Sequence, residues 1–207
     1  MIKIGVIGCG KIAQVRHLPE YQANPNVEIC GLFDQNLERA RELADVYGAK
    51  AYETLETLLA DPQIDAVSVC TANNTHADIS VMALNAGKHV LCEKPMATTL
   101  EDCERMVLAA EKNRKFLMIG QNQRLAKAHQ KAKQLLESGE IGKLVSFRTT
   151  FGHSGPETWS VDAGKNVWFF NKNIASMGAM ADLGVHKTDL MHYLCGSYIT
   201  KVTAQLV

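Results

Sequence analysis

Ile2-Lys3-Ile4-Gly5-Val6-Ile7-Gly8-Cys9-Gly10-Lys11-Ile12-Ala13 opens the chain and decides its fold. Residues 2–7 are short, mostly apolar and rich in β-branched side chains, as a buried strand requires. They pass straight into Gly8-x-Gly10-x-x-Ala13, and helix-compatible residues continue to Tyr21. In a strand–turn–helix unit, Gly8 permits the tight turn and Gly10 leaves no side chain in the way of a pyrophosphate. Ala13 lets helix and strand pack closely. Backbone N–H groups around Lys11 and Ile12 then face the phosphates at the positive end of the helix dipole. A second strand-like run, residues 27–33, ends at Asp34, about twenty residues past the motif, where a ribose-binding acid is expected. Its carboxylate would repel a 2′-phosphate, and Gln35-Asn36-Leu37 contains no base; Arg39 is the first. NAD is therefore expected over NADP.

Strand and helix signals alternate through the first half. Residues 36–47 read as a helix closed by Gly48, 50–52 as a brief strand, and 55–60 as a short helix before Asp61-Pro62. Residues 65–70 form a fourth strand and 74–85 a helix stopped by Gly87. Residues 88–92 form a fifth strand, Thr99 caps a helix to about 113, and 115–120 form a sixth strand. Six strands with crossover helices predict an α/β unit over residues 1–122, a doubly wound parallel Rossmann sheet. Ligands bind such a sheet at the carboxyl ends of its strands. The fourth strand empties there into Thr71-Ala72-Asn73-Asn74-Thr75-His76, and the fifth into Glu93-Lys94-Pro95. The expected cofactor set is Gly8, Gly10, Lys11, Ile12, Asp34, Thr71, Asn73, His76, Glu93 and Lys94. Asn74 or Thr75 also suits a helix cap.

Composition narrows the alternatives. Lys and Arg balance Asp and Glu at 22 each, so no charge footprint points to nucleic acid or an anionic membrane. No apolar run approaches a membrane span, and the N-terminus lacks a secretory pattern. Cys9, Cys30, Cys70, Cys92, Cys103 and Cys195 are scattered without a C-x-x-C pair. That usage fits free thiols in a reducing cytoplasm and gives no metal framework.

Past residue 122 the pattern changes. Residues 124–137 read as a helix ending at Ser138-Gly139, and 144–151 as a strand. A long stretch, 152–173, holds both tryptophans. Arg124, placed just after the sixth strand, could reach a substrate hydroxyl or anion, as could His153 in the long stretch. Trp168 suits stacking on a sugar face or core packing. His17, His89 and His129 read as structural or solvated. In Met177-Gly178-Ala179-Met180-Ala181-Asp182-Leu183-Gly184-Val185-His186-Lys187-Thr188-Asp189, the spacing predicts that Asp182, His186 and Asp189 share one helix face. A carboxylate beside an imidazole suits proton transfer near neutral pH.

The ordered set Gly8-x-Gly10-x-x-Ala13, Glu93-Lys94-Pro95 and Asp182-x-Gly184-x-His186-x-x-Asp189 resembles the Gfo/Idh/MocA family, the glucose–fructose oxidoreductase and inositol dehydrogenase group. The resemblance runs along essentially the whole chain. It implies a catalytic Lys94 partnered by Asp182 and His186, a cis Lys94–Pro95 bond, and oxidation or reduction of a sugar, sugar derivative or cyclitol. It further implies that residues 123–207 begin an α+β substrate domain with a mainly antiparallel sheet, and that the complete protein is a homo-oligomer. Two departures stand out. Met177-Gly178-Ala179-Met180 replaces the family's glycine run, and the chain stops at Val207 within an alternating stretch, 199–207, where family members continue. The expectation is therefore an incomplete second domain.

The side chains suggest a mechanism independently. His186 is the candidate base for an alcohol proton, Lys94 the donor that stabilises the developing alkoxide, and Asp182 the group that orients His186 or substrate. Substrate contacts are expected from Lys94, Arg124, His153, Asp182 and His186. Two alternatives stay open: a catalytically silent NAD(H)-binding sensor module, and a metal enzyme using Asp182, His186 and Asp189, for which one helix face is an unusual ligand source.

Overall fold

The computed structural model describes residues 1–161, 167–176 and 178–205. β1 (Ile2–Ile7) runs between β2 (Val27–Phe33) and β4 (Ala66–Val69). β3 (Lys50–Ala51) closes one edge, while β5 (His89–Cys92) and β6 (Leu117–Ile119) close the other. Every pairing is parallel, in the order β3-β2-β1-β4-β5-β6. The order reverses between β1 and β4, so the loops leaving those two strands diverge and open a crevice. The expected sheet is present, with its sixth strand confined to three residues.

Helices cover both faces. α1 (Leu18–Gln22) and α2 (Leu37–Tyr47) bury Leu18, Ala40 and Ala44 against Ile4, Val6 and Leu32. α3 (Leu55–Ala60), α4 (His76–Asn85) and α5 (Leu100–Asn113) bury Leu58, Leu84 and Met106 against Ile7, Val67, Val69 and Val90. Local chemistry sets the helix starts: the side chains of Asn36, Thr54 and Thr99 accept the N–H of Arg39, Thr57 and Asp102. Gly48, at φ +66°, ends α2 in the left-handed region that glycine tolerates best.

Two helices begin with wide turns that the sequence pattern did not anticipate. Ala13–His17 and Met180–Gly184 are π-helical, the first running into α1 and the second into α8 (Val185–Cys195). The helix expected over 74–85 splits into a 3₁₀ turn, Asn73–Thr75, and α4. The helix expected from Arg124 begins later, as α6 (Lys127–Glu137), after a 3₁₀ turn at Asn122–Leu125. α7 (Lys172–Ala175) lies in the long stretch, and α6 packs on α8.

The antiparallel sheet expected after residue 122 is not formed by the described residues. Residues 144–151 and 199–205 carry strand-like alternation but have no ladder partner. Several of their apolar side chains are uncovered, with Val145 92% and Val202 80% exposed. A strand exists only as part of a hydrogen-bonded pair, and alternation alone cannot supply the second member. Leu206 and Val207, at the end of the expected last strand, and Met177 lie outside the described residues. All six cysteines are free. Among the described residues, no helix is long and apolar enough to cross a membrane.

Gly8 carries the turn that starts the crevice. Its φ is +90°, its N–H donates to the Phe33 carbonyl at 2.8 Å, and a Cβ there would lie 2.8 Å from the Cys70 carbonyl group. Gly8→Ala is expected to cost about 1–3 kcal/mol, the scale of a strained backbone position. A chemical denaturation midpoint measures it, and an unchanged midpoint would contradict the close approach.

Candidate functional site

Two adjoining cavities occupy the carboxyl edge of the sheet. The first, about 460 Å³, is lined by Gly8, Gly10, Lys11, Asp34 and Thr71. The second, about 290 Å³, is lined by Glu93, Lys94, Asp182 and His186. Ile12, Thr71 and Trp168 border both, so the two form one continuous cleft.

The first cavity fits a dinucleotide. A Cβ on Gly10 would meet nothing within 4 Å, so the turn leaves open space beside its backbone. Asp34 stands at the end of β2 and is held by the main chain: its carboxylate accepts the N–H of Cys9 at 2.7 Å and of Asn36 at 2.8 Å. Arg39, noted in the sequence as the first base beyond Asp34, is carried back by the first turn of α2. Its guanidinium reaches 3.6 Å from the same carboxylate. Burial, then the nearby Asp34 charge, pushes the Cys9 thiol up to about 12, so the fingerprint cysteine is an unreactive packing group.

The second cavity is built around Glu93-Lys94-Pro95. β5 delivers Glu93 to the crevice, and the Lys94–Pro95 bond is cis, as the resemblance implied. The Lys94 ammonium donates to the Asp182 carboxylate at 2.7 Å and to the Asp182 carbonyl at 2.9 Å. Asp182 therefore turns to the lysine and makes no hydrogen bond to His186. Asp182 and His186, four apart across the π-helical turn at Met180–Gly184, both line this cavity, whereas Asp189 does not. His186 is 8% exposed, and its Nδ1 has no hydrogen-bond partner. Burial first, and the Lys94 charge second, push its imidazole down from 6.5 to about 4. At neutral pH the ring is uncharged.

Glu93 is itself buried, its side chain 13% exposed. Desolvation works to raise its pKa. The hydrogen bond from His17, with the His17 and Lys94 charges and the Lys94 N–H, outweighs this and holds the carboxyl below its ordinary range. The His17 Nε2–H donates to Glu93 at 2.8 Å. His17, read from the sequence as structural or solvated, is thus tied directly to the tripeptide.

Several other candidates are engaged elsewhere. Asn73 lines the second cavity, but its amide donates to the Ala175 carbonyl at 3.1 Å, bracing the long stretch against the sheet. His76 also lines it, yet the ring is buried, with its nitrogens 2.7 Å and 3.0 Å from the carbonyls of Pro95 and Thr71. Burial dominates there and keeps its pKa low despite both contacts. Arg124 does not border this cavity: it forms a two-pronged ion pair with Asp189, and both line the neighbouring cleft. Among the described residues, no group of three His, Cys, Asp or Glu is placed to hold a metal ion. His153 does line the cavity, as expected, and accepts the Gly155 N–H at 3.2 Å.

The structure adds Asn122, Phe151, Trp159 and Phe169 to the lining. Their approach depends on long-range folding, and no local spacing announces it. Trp168 stacks on Phe169 with centroids 3.9 Å apart, at the border of both cavities.

Residues 2–121 match the model of the GFO/IDH/MocA oxidoreductases, NAD-binding Rossmann fold, and residues 129–207 match the GFO/IDH/MocA C-terminal domain. The chain is 35% identical to a levoglucosan dehydrogenase of Pseudarthrobacter phenanthrenivorans, over 80% of its own length and 42% of the relative's. It is 31% identical to a myo-inositol 2-dehydrogenase of Thermotoga maritima, over 98% of its own length and 58% of the relative's. Among solved structures, a levoglucosan dehydrogenase in complex with NADH and L-sorbose aligns with TM-score 0.84 at 31% identity, covering 95% of this chain and 53% of the other. The chain thus spans about half the length of the relatives it matches. With both segments matched in order and relatives above 30% identity along nearly its whole length, the chain belongs to the GFO/IDH/MocA family of oxidoreductases.

Proposed function

We propose that this chain carries the cofactor site and the acid–base groups of an NAD-dependent dehydrogenase acting on a secondary alcohol or ketone of a sugar, sugar derivative or cyclitol. One observation carries the reading: an ammonium and an uncharged imidazole, Lys94 and His186, line one cavity continuous with the glycine-turn cleft. The names of the relatives support the substrate class, and Asp34 at the end of β2 supports NAD over NADP. Residues 1–122 would hold the cofactor and residues 123–207 would begin the substrate-binding domain. The same reading makes the complete protein a cytoplasmic homo-oligomer. Its free thiols and the uncovered apolar alternation at Val145 and Val202 are in keeping with this.

Bound NAD would supply the hydride acceptor. Gly8, Gly10, Lys11 and Ile12 would hold its phosphates and Asp34 its adenosine ribose. The rest of the chemistry falls to side chains. An ammonium has three donors, and Asp182 engages the Lys94 ammonium through two of its oxygens. The remaining donor can bond the substrate oxygen and stabilise the negative charge that grows there. His186, uncharged and buried, can accept the hydroxyl proton through a ring nitrogen. Asp182 keeps the lysine aimed. In the reverse direction Lys94 polarises the ketone and the imidazolium returns the proton.

Screening NAD with a panel of sugars, cyclitols and amino sugars, read as NADH absorbance, tests the activity. Lys94→Ala and His186→Ala are each expected to lower kcat about 100-fold or more while NADH affinity stays within about threefold. Normal turnover in either variant would overturn the assignment. NADH binding without turnover on the whole panel would favour the sensor-module alternative.

Gly10→Ala separates cofactor binding from folding, because the new methyl enters open space. Stability is expected to hold or rise by a few tenths of a kcal/mol, while NADH affinity falls at least about tenfold. Unchanged affinity by fluorescence titration would contradict the placement of the phosphates.

The pH profile follows from the sign of the His186 shift. The proton-accepting form is the neutral ring, and a lowered pKa keeps it neutral to lower pH. The acid limb of kcat/KM for alcohol oxidation is therefore expected below the 6.5 of an unperturbed imidazole. A limb at or above that value would remove His186 as the base.

A further inference from the structure

Among the described residues, the two π-helical turns lie in different halves of the chain yet serve the same corner. Met180–Gly184 sends Asp182 to the Lys94 ammonium. Ala13–His17 ends on His17, whose ring donates to the carboxylate of the preceding residue, Glu93. Widened turns of this kind recur at functional sites, because the extra residue redirects one side chain out of the α-helical register. Here each redirected side chain grips one of two consecutive residues.

The first grip is largely buried. The His17 and Glu93 side chains are 9% and 13% exposed. The second Glu93 oxygen accepts the backbone N–H of Lys94 at 3.2 Å, so the contact runs from ring to carboxylate to lysine main chain. The far side of the carboxylate is close to Gly120, where a Cβ would stand 3.3 Å from it. Behind His17, the Tyr21 ring packs edge-on at 5.9 Å, and its hydroxyl is bonded to Ser68 at 2.5 Å. His17 lines the neighbouring cleft and not the Lys94–His186 cavity itself, and Glu93 borders both.

We propose that His17 is a positioning residue of the hydride-transfer reaction: by holding the Glu93 carboxylate it fixes the main chain of Lys94, and with it the placing of the ammonium opposite His186. This rests on the dehydrogenase reading above. Removing His17 leaves a buried carboxylate without its strongest donor. Glu93 then has reason to move toward water, and the Lys94 N–H loses its acceptor.

The test compares His17→Ala with His17→Gln in the full chain. A glutamine amide can donate from near the position of the ring Nε2 without titrating. Three quantities are measured: hydrogen exchange of the Lys94 amide without cofactor, NADH affinity, and kcat and KM on the best alcohol of the panel. In His17→Ala the Lys94 amide is expected to exchange about tenfold faster and kcat to fall about tenfold or more. KM and NADH affinity should stay within about threefold, and His17→Gln should restore most of both losses. Wild-type exchange and kcat in His17→Ala would overturn the proposal. So would a glutamine variant as impaired as the alanine one, or a loss of NADH affinity as large as the loss of kcat. If the alanine variant does not fold, His17→Asn, too short to reach Glu93, takes its place in the same comparison. A wild-type chain that oxidises no alcohol would sink the dehydrogenase reading, whereas the exchange arm needs neither cofactor nor substrate and fails or succeeds separately.

Discussion

The ion pair between Lys94 and Asp182 joins residues 88 apart in sequence and holds the acid–base corner together. Its side chains are 17% and 31% exposed, so water screens it weakly and the contact sets geometry as well as energy. The Arg124–Asp189 pair ties the turn after β6 to α8, with Arg124 44% and Asp189 13% exposed. Together the two pairs tie residues 180–195 to the ends of β5 and β6.

Desolvation then divides the chemistry among the neighbours. Each group that loses water must find a partner or give up its charge. Lys94 finds Asp182, and Glu93 finds His17 and the Lys94 N–H. His186 finds none and resolves the cost by remaining neutral, helped by the ammonium beside it. The same physics that stabilises the corner leaves one uncharged imidazole facing a cavity. That is the state a proton acceptor needs.

The parallel sheet and the glycine turn were legible because they rest on local signals: short apolar runs, caps at Asn36 and Thr99, and the glycine spacing. Lys94, Asp182 and His186 could be named from ordered motifs, and they do meet. Three things were not legible. The spacing that put Asp182 and His186 on one face did not show that the Asp182 carboxylate bonds Lys94 and not the imidazole. His17 looked like an ordinary helix residue, since nothing nearby in sequence marks Glu93 as its partner. Arg124 and Asp189 each looked available until folding paired them. The alternation at 144–151 has no partner strand among the described residues, so the antiparallel sheet read from it is not formed there.

On the dehydrogenase reading, nicotinamide and substrate meet at the corner held by His17 and Asp182. A crystal structure of the protein with NADH is the sharpest test. The nicotinamide ring is expected in the cavity between Lys94 and His186, the phosphates on the Gly8–Gly10 turn and the adenosine ribose at Asp34. A nicotinamide seated in the neighbouring cleft along Leu117 and Leu125, with Lys94 turned away from it, would contradict that placement.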